Sequence, residues 1–216
     1  MIRQGSPAGG WHGGFMAASP STSSAEAARV AALDRYAILD SEPEEAFDDL
    51  VILAAQVCRT PMAMLSLLDD HRQWFKSKVG VQMRETPKDA SICAHAIQQR
   101  DLFIVGDTQL DPRFRESPLV VGEPRIRFYA GEPLVNEEGF ALGTLCVVDR
   151  VPRDLDEEQK SALKALGRLA LRQMEFRKNL QLLKEALNDR TREEHAREQE
   201  LKRLEEKLVR VLGLKI

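Results

Sequence analysis

A seven-residue repeat of apolar side chains runs through the C-terminal part of the sequence and fixes its shape. With Leu166 at position a, apolar residues fill most a and d positions as far as Val211, and charged residues surround them. Such a repeat is typical of a two-stranded parallel coiled coil. We predict helix from Asp156 onward and, because an isolated helix of this kind is marginal in water, a homodimer through it. The predicted dimer seam consists of Leu166, Leu169, Phe176, Leu180, Leu183, Leu187, Leu201, Leu204 and Leu208.

Three charged residues interrupt this seam. Arg190, Glu194 and Arg197 fall at d, a and d positions, where they lose apolar packing and carry a desolvation cost. We therefore predict the loosest helix pairing between residues 190 and 197. The sequence leaves one alternative open, in which the helix folds back at Asn188-Asp189.

Composition limits the class of protein. The 216 residues suffice for one globular domain with an extension. The net charge of −3, with Lys and Arg interleaved with Glu, argues against a nucleic-acid partner. Cys58, Cys93 and Cys146 lie inside apolar runs, and their odd number without paired spacing indicates reduced thiols in a cytosol.

The chain divides into three predicted parts. Residues 1 to 24 are rich in Gly, Ser, Ala and Pro and should form a disordered tail. A folded domain is expected at residues 25 to 155, and the helical extension at 156 to 216. No stretch approaches the roughly 20 apolar residues needed to cross a bilayer, and the start lacks a signal peptide. We expect a cytoplasmic protein without a membrane partner.

The folded domain is expected to begin with two helices. The first covers Ala25 to Tyr36, and the second starts at a capping box formed by Ser41 and Glu44. The apolar residues of the second recur at helical spacing and should face a core. They are Phe47, Leu50, Val51, Ala54, Val57 and Cys58.

Strand patterns follow. Ala63 to Leu68 is apolar on both faces, as in a central strand covered on two sides. A turn at Asp69 to His71 leads to a partner strand, Gln73 to Val79, and then to a loop at residues 80 to 90. Further predicted elements are a helix at Ser91–Gln99, a strand at Leu102–Val105, and a hairpin of Arg127–Leu134 and Phe140–Val148 that turns at Gly139.

Four motifs in this order resemble those of a bacterial GAF domain, a sensory module of signalling proteins. They are the stretch Tyr36 to Asp48, the run Arg72 to Ser77, the helix Cys93-Ala94-His95-Ala96-Ile97 and the strand Gly143 to Val147. The resemblance implies an α+β fold, with a central antiparallel sheet, helices on both faces and a ligand-sized cavity. It also implies that the terminal helices of two protomers pack together.

The cavity would lie between the sheet and residues 85 to 117. Candidate lining residues are Ser66, Trp74, Cys93, His95, Asp107, Phe114, Tyr129 and Thr144. Each also has a plain structural explanation. Trp74 and Cys93 suit core packing, His95 suits a hydrogen bond to a backbone carbonyl, and Asp107 suits a turn.

The sequence disfavours three further functions. Phytochrome-like relatives attach a bilin through adjacent Cys and His, whereas here Ala94 lies between Cys93 and His95 and turns them about 100° further apart around a helix. Relatives that reduce methionine sulfoxide need a reactive thiolate, whereas Cys58 and Cys146 face apolar neighbours. Zinc would need two ligands beyond Cys93 and His95. We predict no catalytic residue, no metal and no cofactor.

The sequence thus predicts a dimeric sensory or regulatory domain and not an enzyme. A small ligand would bias the paired helices and pass a signal to an output module, supplied in cis or in trans. The alternative is a structural dimerisation scaffold whose cavity is filled by its own side chains.

Overall fold

A computed structural model describes residues 22 to 212. Most of the predicted N-terminal tail lies outside these residues. The last three residues of that predicted tail belong to a helix that runs from Thr22 to Asp34.

A six-stranded antiparallel sheet forms the centre of the domain, in the order β3-β2-β1-β6-β5-β4. The two middle strands, β1 and β6, are buried along their whole length, as apolar runs covered on both faces require. The strands are β1 (Met62–Leu68), β2 (Arg72–Val79), β3 (Glu85–Pro87), β4 (Phe103–Val105), β5 (Phe128–Val135) and β6 (Ala141–Asp149).

Helices cover both faces of the sheet and enclose two separate cores. One core lies beneath α1, α2 and the first turns of α5, and the other beneath α3 and α4. This confirms the predicted α+β fold with helices on both faces. The helices are α1 (Thr22–Asp34), α2 (Glu45–Cys58), α3 (Cys93–Ala96), α4 (Pro118–Val121) and α5 (Glu157–Leu212).

The predicted capping box at the start of α2 is wrong. The N-cap is Glu44, and its side chain makes no capping hydrogen bond. The Ser41 hydroxyl instead donates to the Ile38 carbonyl and accepts from Lys76 Nζ. Tertiary ion pairs occupy the Glu44 carboxylate, and hydrogen bonds between charged groups are stronger than a neutral cap.

The predicted loop at residues 80 to 90 contains structure that the sequence did not indicate. Glu85, Thr86 and Pro87 pair with Trp74, Gln73 and Arg72 as a short edge strand. Because an edge strand leaves one row of N–H groups unpaired, Pro87 is tolerated there. A short 3₁₀ turn, Lys88–Ala90, follows.

The α5 helix is continuous for 56 residues and passes through Asn188-Asp189 without a fold-back. Leu163, Ala170 and Met174 on its first turns are buried in the core of the domain.

Within residues 22 to 212, none of the helices is both long enough and apolar enough to span a membrane.

Candidate functional site

A small cavity lies between the sheet and the layer of α3 and α4, where the sequence predicts one. Its volume is about 30 Å³, room for about two water molecules. The lining is mostly apolar and includes three methionines. It consists of Met62, Met64, Gln73, Phe75, Val81, Met83, Thr86, Ile92, Cys93, Leu119, Pro124, Ile126, Tyr129 and Val148.

A cluster of thiols and hydroxyls, here called the thiol cluster, lies at the wall of this cavity. It comprises Ser66, Cys93, Tyr129, Thr144 and Cys146, all buried. The sulfur atoms of Cys93 and Cys146 are 3.9 Å apart, and Tyr129 Oη donates to Cys93 Sγ at 3.2 Å. Ser66 Oγ lies 3.9 Å from Cys93 Sγ and 4.0 Å from Cys146 Sγ.

Strand register explains why these side chains meet. Ser66 on β1 pairs with Thr144 on β6, and Cys146 lies two residues further along β6, on the same face. Gly131 pairs with Cys146, and Tyr129 lies two residues before it on β5. A Cβ on Gly131 would lie 2.2 Å from Tyr129 Oη. Because Gly131 has no side chain, the Tyr129 phenol has room to lie along the strand.

The three cysteines differ in acidity. Burial raises the pKa of Cys58 to about 11. The pKa of Cys146 is also raised, chiefly because Cys146 hydrogen bonds to Cys93. Burial likewise opposes ionisation of Cys93, but hydrogen bonds from Cys146, Thr144 and Tyr129 outweigh it and lower the pKa to about 6. Cys93 is therefore the thiol of the three that ionises most readily.

The eight predicted lining residues separate into three groups. Cys93 and Tyr129 line the cavity, and Ser66 and Thr144 adjoin it through the thiol cluster. His95 and Phe114 form a neighbouring edge-to-face pair with ring centroids 4.9 Å apart. Phe114 is buried in the same core as the cavity, whereas His95 is only half-buried.

Trp74 and Asp107 are elsewhere. Gln73 and Phe75 point to the cavity, so the alternation of β2 turns Trp74 into the opposite core. The Asp107 carboxylate binds the Arg127 guanidinium at 2.6 and 2.8 Å and accepts the Gln109 N–H. Asp107 therefore caps a turn, the plain explanation that its sequence context allows.

Sequence reasoning missed Cys146 and Gln73 as parts of the site. Gln73 Nε2 donates to Ser66 Oγ at 3.0 Å, and its Oε1 accepts from Ser91. The signal for Cys146 was present, because residues two apart on a strand share a face and Thr144 was already assigned to the cavity.

Three potential metal ligands, Asp69, Asp70 and His71, meet at the turn after β1, with their ligand atoms within 4.8 Å. The Asp69 carboxylate already accepts hydrogen bonds from two backbone N–H groups and from Arg72 Nε. These bonds close the turn, which accounts for the cluster without an ion.

Comparison with known proteins decides the family. The model of the GAF domain family matches residues 42 to 173, more than half of the chain. The chain belongs to the GAF domain family. The match extends into the first turns of α5, so the buried start of this helix is part of the GAF domain.

Named relatives add detail. The chain is 44% identical over 155 residues to a cyclic di-GMP phosphodiesterase of Pseudomonas aeruginosa, a match that covers 71% of this chain. It spans about a quarter, 26%, of that relative's length.

Two solved structures share the fold at low identity. The GAF domain of an Acinetobacter phosphoenolpyruvate-protein phosphotransferase is similar, with a TM-score of 0.51 at 16% identity, over 69% of this chain and 94% of that one. So is the free methionine-R-sulfoxide reductase of Neisseria meningitidis, with a TM-score of 0.52 at 14% identity, over 72% and 93%.

An ion-pair network connects the sheet of this GAF domain to α5. The ammonium of Lys76 is fully buried and donates to Glu44 Oε1 at 2.7 Å and to the Glu42 carbonyl at 2.6 Å. Glu44 Oε1 also accepts from Arg177 Nε at 2.7 Å. Burial raises the pKa of Glu44, but the bonds from Lys76 and Arg177 outweigh burial and leave it lowered.

Arg177 extends this network to the segment before α2. Its Nη1 donates to the carbonyls of Tyr36 and Ala37 at 3.0 and 2.9 Å. We call Lys76, Glu44 and Arg177 the sheet–helix link. It joins β2, which lines the cavity, to the point where α5 leaves the domain.

Proposed function

We propose that this GAF domain is the regulatory input of a dimeric signalling protein and that α5 carries its state to an output module. One observation carries the proposal. The α5 helix packs on the domain with its first turns and then extends beyond it with apolar side chains exposed. Leu183 and Leu187 are 56% and 55% exposed, and Leu201, Leu204 and Leu208 are similarly exposed.

The predicted seam and the contacts with the core lie mainly on different faces of α5. Leu163, Ala170 and Met174 face the core. Leu169 comes one residue before Ala170, which puts it about 100° around the helix, and it is exposed. Leu166 lies between the two faces and is half-buried against its own domain. A second protomer can therefore pair along the seam while both domains stay packed.

The sheet–helix link supplies a route for the signal. Gln73 and Phe75 contribute to the cavity wall, and the next residue, Lys76, holds Glu44 and through it Arg177. A shift of β2 would alter how Arg177 holds α5. A ligand can produce that shift only to the extent that it binds one arrangement better than the other.

The output module is the part of the proposal that rests on the relative. Because the Pseudomonas aeruginosa relative is named a cyclic di-GMP phosphodiesterase, we propose that this GAF domain regulates a module of that kind. The domain itself would act by binding and transmission and not by catalysis.

The size of the cavity favours one competing function. At about 30 Å³ it is far below the roughly 300–1,000 Å³ of pockets that hold drug-sized ligands. A metabolite would have to displace α3, α4 and the flexible methionines of the lining. If it cannot, the domain is a dimerisation scaffold with a filled cavity.

Spin labels on α5 test transmission. The three cysteines are buried, so Gln199→Cys gives one exposed labelling site per protomer, and pulsed dipolar spectroscopy measures the distance between two protomers. We expect a defined distance that Arg177→Ala shifts or broadens. Arg192→Ala, which removes only an exposed ion pair with Asp189, is the control and should leave it unchanged. An unaltered distance in Arg177→Ala would exclude transmission through the link.

A further inference from the structure

Two thiols of the thiol cluster are close enough to react with each other. Cys93 Sγ and Cys146 Sγ lie 3.9 Å apart on different elements, α3 and β6. A disulfide requires about 2.05 Å between the sulfurs. The sulfurs must therefore approach by roughly 2 Å, and Cys93 is on α3, a helix of only four residues.

The surroundings single out Cys93 as the attacking thiol. It lines the cavity, whereas Cys146, on β6, is not one of the lining residues. Tyr129 Oη donates a hydrogen bond to its sulfur, and its pKa is lowered to about 6. A thiol of lowered pKa with a second thiol beside it, which can resolve the oxidised sulfur, is typical of redox-active cysteine pairs. Cys93 itself is buried, so the cavity is its route of access.

The cavity restricts which oxidant can reach Cys93. Room for about two water molecules suits hydrogen peroxide, which has two oxygen atoms, and excludes bulky thiol reagents. The Thr144 hydroxyl lies beside the two thiols and helps to lower the pKa of Cys93.

We propose that Cys93 and Cys146 form a peroxide-oxidisable dithiol that converts this GAF domain between a reduced and a disulfide-closed form. The Cys93 thiolate attacks one peroxide oxygen, the O–O bond breaks and hydroxide leaves, which gives a sulfenic acid on Cys93. The Cys146 thiol then attacks that sulfur. The S–S bond forms as the S–O bond breaks, and the released hydroxide takes the thiol proton as water.

The hydroxide from the first step takes up the proton that Cys93 released on ionising, so the overall reaction consumes two thiols and one peroxide and yields one disulfide and two water molecules. A dithiol reductant reverses it by thiol–disulfide exchange and becomes a disulfide itself. Closure would draw α3 onto β6 and reshape the cavity wall. The oxidation is a property of the two thiols and does not depend on the pairing of α5.

Peptide mapping after peroxide treatment tests the proposal on the unaltered chain. The folded protein is treated with equimolar hydrogen peroxide, denatured, alkylated and digested with trypsin. Each cysteine falls on its own peptide, Cys58 on residues 36 to 59, Cys93 on 89 to 100 and Cys146 on 128 to 150. We expect a linked peptide of Cys93 and Cys146 that dithiothreitol separates, while Cys58 stays alkylated.

Variants separate the steps and provide a matched control. Cys58→Ser should form the linked peptide like the unaltered chain, because Cys58 is buried apart from the other two. Cys146→Ser should stop at the sulfenic acid, which dimedone added together with the denaturant traps on Cys93. Persistent reduction of Cys93 and Cys146 under peroxide, or oxidation of Cys58 at the same rate, would overturn the proposal. So would a mixed disulfide of Cys93 with glutathione, since the cavity is too small to admit it.

Discussion

At the scale of single residues, the hydrogen bond from one phenol contributes to the lowered pKa of Cys93. Tyr129 Oη is the nearest oxygen donor to the Cys93 sulfur, and Gly131 provides the space for its ring. Cys93 and Cys58 are both buried, yet their pKa values shift in opposite directions. The difference lies in hydrogen bonding and not in burial.

Removal of this hydroxyl should make Cys93 less acidic. A hydrogen bond to a charged group contributes about 1.5–3 kcal/mol, so Tyr129→Phe should raise the pKa of Cys93 by about one to two units. The ultraviolet absorbance of the thiolate, followed against pH, measures the change. Tyr36→Phe, which removes a hydroxyl bonded to Glu175, is the control. An equal shift in both variants would show that Tyr129 has no particular effect.

The same scale shows where sequence reasoning failed. Thr144 and Cys146 share a face of β6, and the pattern that placed one at the cavity could have placed the other. Trp74 was assigned to the cavity although it alternates with Gln73 and Phe75, which occupy that face. The spacing of Ser41 and Glu44 matched a capping box, but in the folded domain both side chains bind Lys76, and Glu44 also binds Arg177. These partners are distant in the sequence, so local spacing could not reveal them.

At the scale of elements, periodicity was a dependable guide. The apolar run of β1, the hairpin that turns at Gly139 and the unbroken α5 all follow from local pattern. The short β3 strand did not, because three residues that include a proline become a strand only through pairing with β2. The volume of the cavity was also beyond the sequence, since a filled pocket and an open one have the same apolar pattern.

The charged positions of α5 lead to a prediction at this scale. Arg190 and Glu194, at d and a positions, pair with each other along the same helix at 3.2 Å. That contact satisfies their charge without adding apolar contact to the seam. Backbone amides at residues 190 to 197 should exchange hydrogen faster than those around Leu180 and Leu204. Uniform protection along α5 would contradict loose pairing there.

At the scale of the whole molecule, the account depends on two protomers meeting along α5. The seam residues other than Leu166 lie on a face that the domain leaves exposed, and the sheet–helix link holds α5 where that face emerges. In the proposed mechanism, a change in the core has an effect only if it alters how the two α5 helices pack against each other. The central claim is therefore the dimer through this seam.

Light scattering on three forms of the chain tests that claim most directly. Leu180→Asp with Leu183→Asp replaces four seam leucines per dimer, each contributing about 1.5–3 kcal/mol when buried, and should weaken association by at least about four orders of magnitude. Leu182→Asp is the matched control, because Leu182 is as exposed as Leu183, at 56%, but lies off the seam. The account predicts a dimer for the unaltered chain and for Leu182→Asp, and a monomer for the double variant. A dimeric double variant, or a monomeric unaltered chain, would contradict it.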